Sequence, residues 1–530
     1  MFKVLVSDPI SDLGIQKLVD AADISIDKKP GLSEDELVAI IGEYDALLVR
    51  SQTRVTARIM DAGKKLKVVG RAGVGVDNID LEAATQRGII VINAPDGNTI
   101  TTCEHTFAMM MAVARHIPQA YLKTVGGVWD RKSFVGVELR NKVLGVLGMG
   151  RIGSEVAKRA KAFGMEILGY DPFLTEERAE KMGIKLATVD EIVRNADFMT
   201  VHTPLTPETR HMISSKQFEV MKPGMRIVNC ARGGIIDEQA LVEAIDQGIV
   251  AGAAFDVFEV EPPAADHPFL KHPKIIVTPH LGASTVEAQE NVAIDVSEQV
   301  LHILRDEPFI NAVNMPPIPA NVRAVLEPYF TLGEKLGSFI AQLADGAVNE
   351  IVVSYSGELA DVDTQPLTRY ITRGVLAHHL GAEQVNVVNS MHLAKERSVN
   401  IVINKSHTSK DFTNLVTVTL RTSKEERTVS GTLLTGYGPR IVQIDGYPVD
   451  VAPEGNLILV SHTDKPGIIG RVGTLLGSND VNIAAMQVGR KLIGGAAIMV
   501  LTVDKVAPKS VLEEVAKLAD LNSAKEIHLT

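Results

Sequence analysis

Three side chains lie at the ends of short apolar runs and could together move a hydride and a proton. His280 closes KIIVTPH. An imidazole titrates near neutrality, which suits proton exchange. Glu261, in EVEPP, offers a carboxylate that could orient such a ring and favour its charged form. Arg232 ends RIVNCAR and is followed by two glycines. A guanidinium placed there can clamp a carboxylate through two parallel hydrogen bonds. Oxidation of an alcohol by hydride transfer needs a base for the hydroxyl proton, and the ends of strands in an open α/β sheet are where ligands bind. Each of the three residues also has a purely structural reading, and spacing alone does not bring them together.

A hydride acceptor is suggested by VLGVLGMGRIGSEVA, residues 143–157. Gly148, Gly150 and Gly153 follow a predicted strand and open a predicted helix, SEVAKRAKAF. Glycines at this spacing allow a tight turn, close approach of backbone to a pyrophosphate, and close contact of helix with strand; the helix N-terminus attracts the phosphates. Asp171 ends EILGYD, 18 residues after Gly153. A carboxylate there accepts hydrogen bonds from a ribose diol and repels a 2′-phosphate, which selects NAD over NADP. A second turn, VVGRAGVGVDNID, carries Gly73 and Gly75 but lacks a third glycine. It reads as a loop facing the first site.

The elements that must position these groups follow from hydrophobic pattern. FKVLVSD, ALLVRS, KVVGRAG and IIVINAP read as strands, and Ser33 with Glu36 opens a helix by a capping box. One long helix is expected over 101–125, with the methionines of FAMMMAVARHI as packing. KVLGVLG, EILGYD, FMTVHTP, RIVNCAR, AGAAFDV and KIIVTPH give a second set of strands with helical patterns between most of them. The fold class is therefore α/β, with two doubly wound parallel-sheet lobes. NMPPIPA, 314–320, reads as a linker. Residues 320–450 form a third unit of mixed α+β character, where Lys424, Arg427 and Arg440 make either an anion site or a solvated basic face. The last segment has the order βαββαβ of a ferredoxin-like unit.

Composition narrows the function classes. A chain of 530 residues exceeds one core and suggests three or four domains. The formal net charge of -11 argues against sequence-independent nucleic-acid binding, so an anionic substrate would need a local cluster of Arg or Lys. Cys103 and Cys230 are the two cysteines, too few for a disulfide framework and suited to a reducing compartment. MFKVLVSD is strand-like and lacks a signal-peptide pattern, and no apolar run reaches the ~18 residues of a membrane span. A soluble cytoplasmic enzyme is expected, with no metal site and no nucleic-acid or membrane partner.

VLGMGRIG, NCARGGIIDEQAL, AAFDVFEVEPP and VTPHLGAST, in this order, resemble the successive signatures of the NAD-dependent D-2-hydroxyacid dehydrogenases. With its third unit and ferredoxin-like tail, the whole chain resembles the long form of that family. The resemblance implies that Arg232 binds the substrate carboxylate and polarises the C2 oxygen. His280 would take the C2 hydroxyl proton as hydride moves to NAD, and Glu261 would hold and tune His280. It also implies cofactor contacts at Arg151, Ile152, Asp171, Thr203, Cys230, Ala231, Asp256 and Gly282. Val74 departs from the pattern, since many relatives carry Thr there and gain a side-chain bond to the cofactor.

For this long form the implied reaction is oxidation of 3-phospho-D-glycerate to 3-phosphohydroxypyruvate, the first step of phosphorylated L-serine synthesis. The phosphate would meet Arg50, Ser51, Arg71, the turn amides of Val74 and Gly75, and Asn98 at the hinge. Arg131 and Lys132 follow Trp129 in a stretch that belongs to the subunit interface in the family, from which a neighbouring chain's Arg can reach the phosphate. A homo-oligomer is implied, dimer or tetramer. The implied division is a flavodoxin-like substrate lobe, 1–97 with 287–316; a Rossmann-type cofactor lobe, 98–286; an intervening domain, 317–452; and an ACT domain, 455–530. In the ACT domain Pro466 and Gly467 would start the first helix. His462, Asp464 and Asn482 match positions that hold L-serine in serine-inhibited relatives, with Asp464 receiving the ammonium group. Two other readings remain: a dehydrogenase for glyoxylate or hydroxypyruvate, whose members usually lack the C-terminal extension, and a non-catalytic NAD-sensing protein.

Overall fold

The computed structural model describes residues 1–408 and 411–529. Its first sheet holds β1 (Phe2–Val6), β2 (Ile24–Lys28), β3 (Ala46–Val49), β4 (Val68–Arg71) and β5 (Ile90–Asn93), all parallel, in the order β2-β1-β3-β4-β5. This is the flavodoxin-like order. Four of these strands are the apolar runs expected from the sequence. A strand covered on both faces by helices needs apolar residues without alternation, and Val4, Leu5, Leu47 and Val69 are fully buried. β2 was not anticipated. It is an edge strand, ISIDK, whose Ser25 and Asp27 mask its pattern. Ser33 and Glu36 do form the expected capping box, at the start of Glu34–Ile40.

The second sheet contains β6 (Val143–Leu147), β7 (Glu166–Tyr170), β8 (Lys185–Leu186), β9 (Phe198–Val201), β10 (Met225–Asn229), β11 (Val250–Phe255) and β12 (Ile275–Val277). Their order is β12-β11-β10-β9-β6-β7-β8, again parallel. The direction of winding reverses between β6 and β9, and a ligand crevice opens at the carboxyl ends of strands at such a point.

The chain passes between the two sheets twice. The expected helix over 101–125 is two helices, Thr99–Arg115 and Ile117–Val125, broken at His116, whose φ is 54°. Pro118, in the first turn of the second helix, lacks the N–H that a continuous helix would use there. The first helix buries Cys103, Phe107, Met110 and Val113; the second buries no residue. The return is made by Val286–Leu304, which sets Val292, Val296 and Val300 into the core of the first sheet. Beyond it Val313 N–H donates to the Val91 carbonyl, and Asn314 bonds both Val91 N–H and the Ile89 carbonyl.

From Ala320 a third sheet is built, β13 (Val348–Gly357), β14 (Asn400–Ser406), β15 (Asn414–Thr422), β16 (Glu426–Leu434), β17 (Gly438–Ile444) and β18 (Tyr447–Val451), ordered β14-β13-β15-β16-β17-β18. Helices Ala320–Leu343 and Gln365–Leu380 share its core. The fourth sheet is antiparallel, β20-β21-β19-β22, from β19 (Gly455–Thr463), β20 (Ile483–Arg490), β21 (Ala496–Val503) and β22 (Leu521–Leu529). With helices Ile468–Ser478 and Lys509–Lys517 it has the expected βαββαβ order. Thr530, the last residue of the expected terminal strand, lies outside the described residues. Among the described residues no helix is long and apolar enough to cross a membrane.

Candidate active site

The glycine turn after β6 is fixed by contacts that only glycine permits. Gly148 has φ 96°, and a Cβ on it would meet the His202 carbonyl at 2.7 Å. A Cβ on Gly153 would come within 2.0 Å of the Gly148 carbonyl oxygen, so the helix Arg151–Ala162 can approach β6 only without a side chain there. Gly150 differs: a Cβ there meets nothing within 4 Å. The open space above Gly150 is where a pyrophosphate would approach the backbone. Asp171, at the end of β7, accepts Met149 N–H at 2.9 Å through Oδ2 and Phe173 N–H at 2.8 Å through Oδ1. Met149, Gly150, Arg151, Ser154, Asp171, Phe173, Leu174 and Arg178 line a cavity of about 410 Å³. Across the crevice Thr203 buries a hydroxyl oxygen that has no partner among the described residues. A cradle that a Cβ would fill, a carboxylate at the second strand and an orphaned hydroxyl fit a dinucleotide. Ile152 packs against the core beneath the turn, and Arg151 Nε pairs with Asp96 Oδ1 at 2.5 Å.

His280 and Glu261 meet. Nδ1 of His280 lies 2.7 Å from Oε2 of Glu261, whose other oxygen accepts Phe258 N–H at 3.0 Å. An ionised carboxylate only accepts, so Nδ1 is the donor and Nε2 is the nitrogen left to exchange a proton. Burial alone would raise the Glu261 carboxyl. The bond and charge of His280, the Phe258 N–H and the charge of Arg232 outweigh it and hold Glu261 below its ordinary range. His280 itself has φ 56°, a left-handed conformation that a non-glycine residue adopts at a cost of about 1–2 kcal/mol.

That conformation is held by Asp256. The Asp256 carbonyl accepts His280 N–H at 2.9 Å. Its fully buried carboxylate takes Thr278 Oγ1 at 2.5 Å and the N–H groups of Leu281 and Gly282, both at 2.7 Å. His105 Nε2 stands 3.2 Å from the same carboxylate. Thr102 completes the bracket by donating to the Gly282 carbonyl at 2.8 Å. Asp256 and Gly282, expected as cofactor contacts, therefore first serve to fix the loop that carries His280.

Arg232 is presented by a turn after β10. Asn229 ties that turn, donating to the Arg232 carbonyl at 2.9 Å and accepting Ala231 N–H at 3.0 Å. Cys230, in the same turn, is buried, and burial pushes its thiol up, which keeps it protonated. Arg232 lies opposite the 71–78 turn of the first sheet, where Nε donates to Asp77 Oδ2 at 3.0 Å. Arg71 donates through Nε to Asn78 Oδ1 at 2.8 Å. Burial, then the like charges of Arg232 and Arg50, bring its guanidinium down to about 10, with Asp77 and Asp8 acting in the other direction. Arg50 and Arg71 from the first sheet and Arg232 from the second thus face one another, and an anion between them would relieve their crowding.

The other expected contacts are distributed around this centre. Ser51 is exposed beside Arg50, whose N–H donates to Asp8 Oδ2 at 2.6 Å. Val74 and Gly75 sit in the same turn as Asp77, and Asn93 Nδ2 holds the Val74 carbonyl at 2.5 Å. Asn98 precedes the crossover helix without capping it, and its Oδ1 is buried without a partner among the described residues. Arg131 is exposed on the loop after Ile117–Val125 and joins no group of the cleft.

In the fourth sheet His462 is 2% exposed; its Nδ1 bonds the Thr463 carbonyl and its Nε2 has no partner among the described residues. Asp464 is already engaged, by Arg490 at 2.8 Å and Gly494 N–H at 3.1 Å. Asn482 donates to Asp504 at 2.7 Å. In the third sheet Arg427 pairs with Glu425 and Asp445, and Arg440 with Asp450, so these cations have carboxylate partners of their own.

The chain matches the model of the D-isomer specific 2-hydroxyacid dehydrogenase, NAD binding domain, over residues 107–282. It matches the D-3-phosphoglycerate dehydrogenase intervening domain over 325–445 and the ACT domain over 456–520. It is 46% identical over 530 residues to a D-3-phosphoglycerate dehydrogenase of Bacillus subtilis, covering 100% of both chains. It is 46% identical over 531 residues to that of Methanocaldococcus jannaschii, again covering 100% of each. The chain belongs to the D-3-phosphoglycerate dehydrogenase family. A crystal structure of a glyoxylate reductase from Paecilomyes thermophila aligns with a TM-score of 0.54 and 29% identity, covering 59% of this chain and 98% of that one. Its cofactor, as for the family, is NAD.

Within this family frame, several contributors were not foreseen from sequence. Asp77 and Asn78 stood in the quoted loop VGRAGVGVDNID, and their acidic and amide side chains were the available signal. Asn93, Asn229, His105 and Thr278 gave none, because each acts through a partner distant in sequence or through a neighbouring backbone group.

Proposed function

We propose that this cleft oxidises 3-phospho-D-glycerate to 3-phosphohydroxypyruvate. One observation carries the reading: the charge of Arg232 acts both on Arg71, which Arg50 also faces, and on Glu261, the partner of His280. Bound NAD supplies the acceptor for the hydride that leaves C2. Arg232 holds the substrate carboxylate and polarises the C2 oxygen. His280 Nε2 takes the C2 hydroxyl proton as the carbonyl forms, and Glu261 stabilises the imidazolium through Nδ1. In the reverse direction the same proton returns from His280. Asp256 keeps the imidazole in place by fixing the 278–282 loop.

The phosphate is read by Arg50 and Arg71, with Ser51, the amides of Val74 and Gly75, and Asn98 around them. The lobes 1–97 with 287–316 and 98–286 close on the substrate about the two crossings at Asn98 and Val286, which excludes water. Gly148, Gly150, Gly153, Arg151, Ile152, Asp171, Thr203, Cys230 and Ala231 line the cofactor.

The chain functions as a homo-oligomer in the cytoplasm. Ile117, Tyr121, Leu122, Val125 and Trp129 support an interface, being apolar and exposed together, with Trp129 83% exposed. Arg131 acts from there on a neighbouring subunit's phosphate site. L-serine binds the ACT domain, 455–530, attached through the intervening domain, 317–452. The buried, unpartnered Nε2 of His462 and the helix start at Gly467, which no side chain caps, support this site. Asp464 reaches the ammonium group of serine only by exchanging Arg490.

The test is NADH oxidation with 3-phosphohydroxypyruvate and with hydroxypyruvate, each with and without L-serine. Turnover confined to the phosphorylated substrate is expected, and serine should lower it. Equal rates on both would return the cleft to a general 2-hydroxyacid dehydrogenase, and absence of turnover to an NAD-sensing protein.

A further inference from the structure

The guanidinium of Arg232 is dressed on both of its two-donor edges. Nε donates to Asp77 Oδ2 at 3.0 Å, and Nη1 donates to the Ala231 carbonyl at 2.7 Å. Nη2 lies against Gly75, where a Cβ would come within 1.9 Å of it. A carboxylate that binds an arginine fork needs two adjacent N–H donors. The Ala231 carbonyl belongs to the turn tied by Asn229, so it cannot withdraw without breaking that tie. Asp77 can. Its side chain is 69% exposed against 29% for Arg232, and exposed ion pairs are weakly held.

We infer that Asp77 is a built-in stand-in for the substrate carboxylate, holding Arg232 across the cleft until that carboxylate displaces it. The inference rests on the role proposed above for Arg232 and adds a residue to it. Asp77 belongs to the turn after β4 and Arg232 to the turn after β10, so the pair spans the two sheets. It supplies negative charge to Arg232 directly and, with Asp8, to Arg71. On substrate binding, one carboxylate leaves Nε as another arrives, and the local charge balance is kept. Asp77 is thereby a positioning residue that sets the affinity for 2-hydroxy and 2-keto acids without touching the reacting carbon.

The experiment compares the full-length protein with Asp77→Asn and Asp77→Glu. Binding of oxamate, a carboxylate without a phosphate, is measured by calorimetry on the NADH-saturated proteins, with inorganic phosphate as the second probe. Melting temperatures confirm that each variant is folded. Loss of the competing carboxylate should tighten oxamate binding by about three- to tenfold in Asp77→Asn. Asp77→Glu, which keeps the charge, should gain nothing. Phosphate binding should change by less than about twofold, and the KM for 3-phosphohydroxypyruvate should fall in step with the oxamate constant. Oxamate binding that is weaker or unchanged in Asp77→Asn would overturn the inference, since Asp77 would then align Arg232 and stay in place. An equal gain for phosphate would also overturn it, showing general repulsion of anions. If the wild-type protein fails to reduce 3-phosphohydroxypyruvate, the proposed substrate falls; the oxamate comparison needs no turnover and still decides the role of Asp77.

Discussion

The turn after β6, 148–153, and the turn after β4, 71–78, are built on opposite principles. The 148–153 turn owes its shape to missing side chains: Gly153 lets a helix rest against a carbonyl, and Gly148 takes a left-handed φ. The 71–78 turn owes its shape to side chains that are present. Asn78 takes Arg71 Nε and donates to the Arg50 and Thr53 carbonyls, while Asn93 holds Val74. A cofactor common to a whole family is met by backbone, whose geometry few substitutions can alter. A particular substrate is met by charged and amide groups that can be exchanged one at a time. The difference teaches where specificity can change while the cofactor site stays constant.

The largest effect should come from His280, which belongs to neither turn. His280→Gln should lower kcat by about 10²–10⁴-fold, the usual share of a general acid–base group, and leave NADH affinity in place. Rapid turnover and fluorescence titration measure the two. On the glycine side, Gly153→Ala should weaken NADH binding by more than about 100-fold and lower the melting temperature, because its Cβ meets backbone that cannot move aside. Gly150→Ala should leave melting unchanged and weaken NADH by about tenfold, since its Cβ enters only the space a pyrophosphate needs. Comparable melting losses in both would break the contrast drawn for that turn.

On the other side, Asn78→Ala should raise the KM for 3-phosphohydroxypyruvate by about tenfold, from loss of hydrogen bonds worth about 1 kcal/mol each. NADH affinity should not follow. The smallest effect is on stability. Burial would raise the Asp256 carboxyl, but bonds from His105, Thr278 and Leu281 hold it below its ordinary value. A carboxyl depressed on folding stabilises fully above its unfolded value, about 4, and loses that contribution as pH falls further. The melting-temperature gap between wild type and Asp256→Asn should therefore be widest above about pH 5 and close as pH falls below about 4.

The same contrast explains what could be read from the chain. The glycine turn and the place of Asp171 at the end of β7 are legible because local spacing sets them, and the apolar strands because both faces are buried. Edge strands are not: β2 mixes Ser25 and Asp27 into its run, and β8 is two exposed residues long. The break at His116 is not legible in the sequence, because the apolar pattern continues across it and only Pro118 interrupts the hydrogen bonding. Around the substrate, the cations were visible as residue types, but their partners were not. Asp77 meets Arg232 across 155 positions, and Asn78 meets the Arg50 carbonyl across 28. The first exists only once the two sheets face each other, and the second only once β3 and β4 pair.

If Arg50 and Arg71 bind the substrate phosphate, they make this dehydrogenase choose a phosphorylated acid. The direct measurement is the ratio of kcat/KM for 3-phosphohydroxypyruvate to that for hydroxypyruvate, in the wild type and in the double variant Arg50→Met, Arg71→Met. Two charged hydrogen-bonding partners predict a ratio above about 100 in the wild type that collapses to within a few-fold of one in the variant. A wild-type ratio near one, or a high ratio that survives the loss of both arginines, would contradict the account.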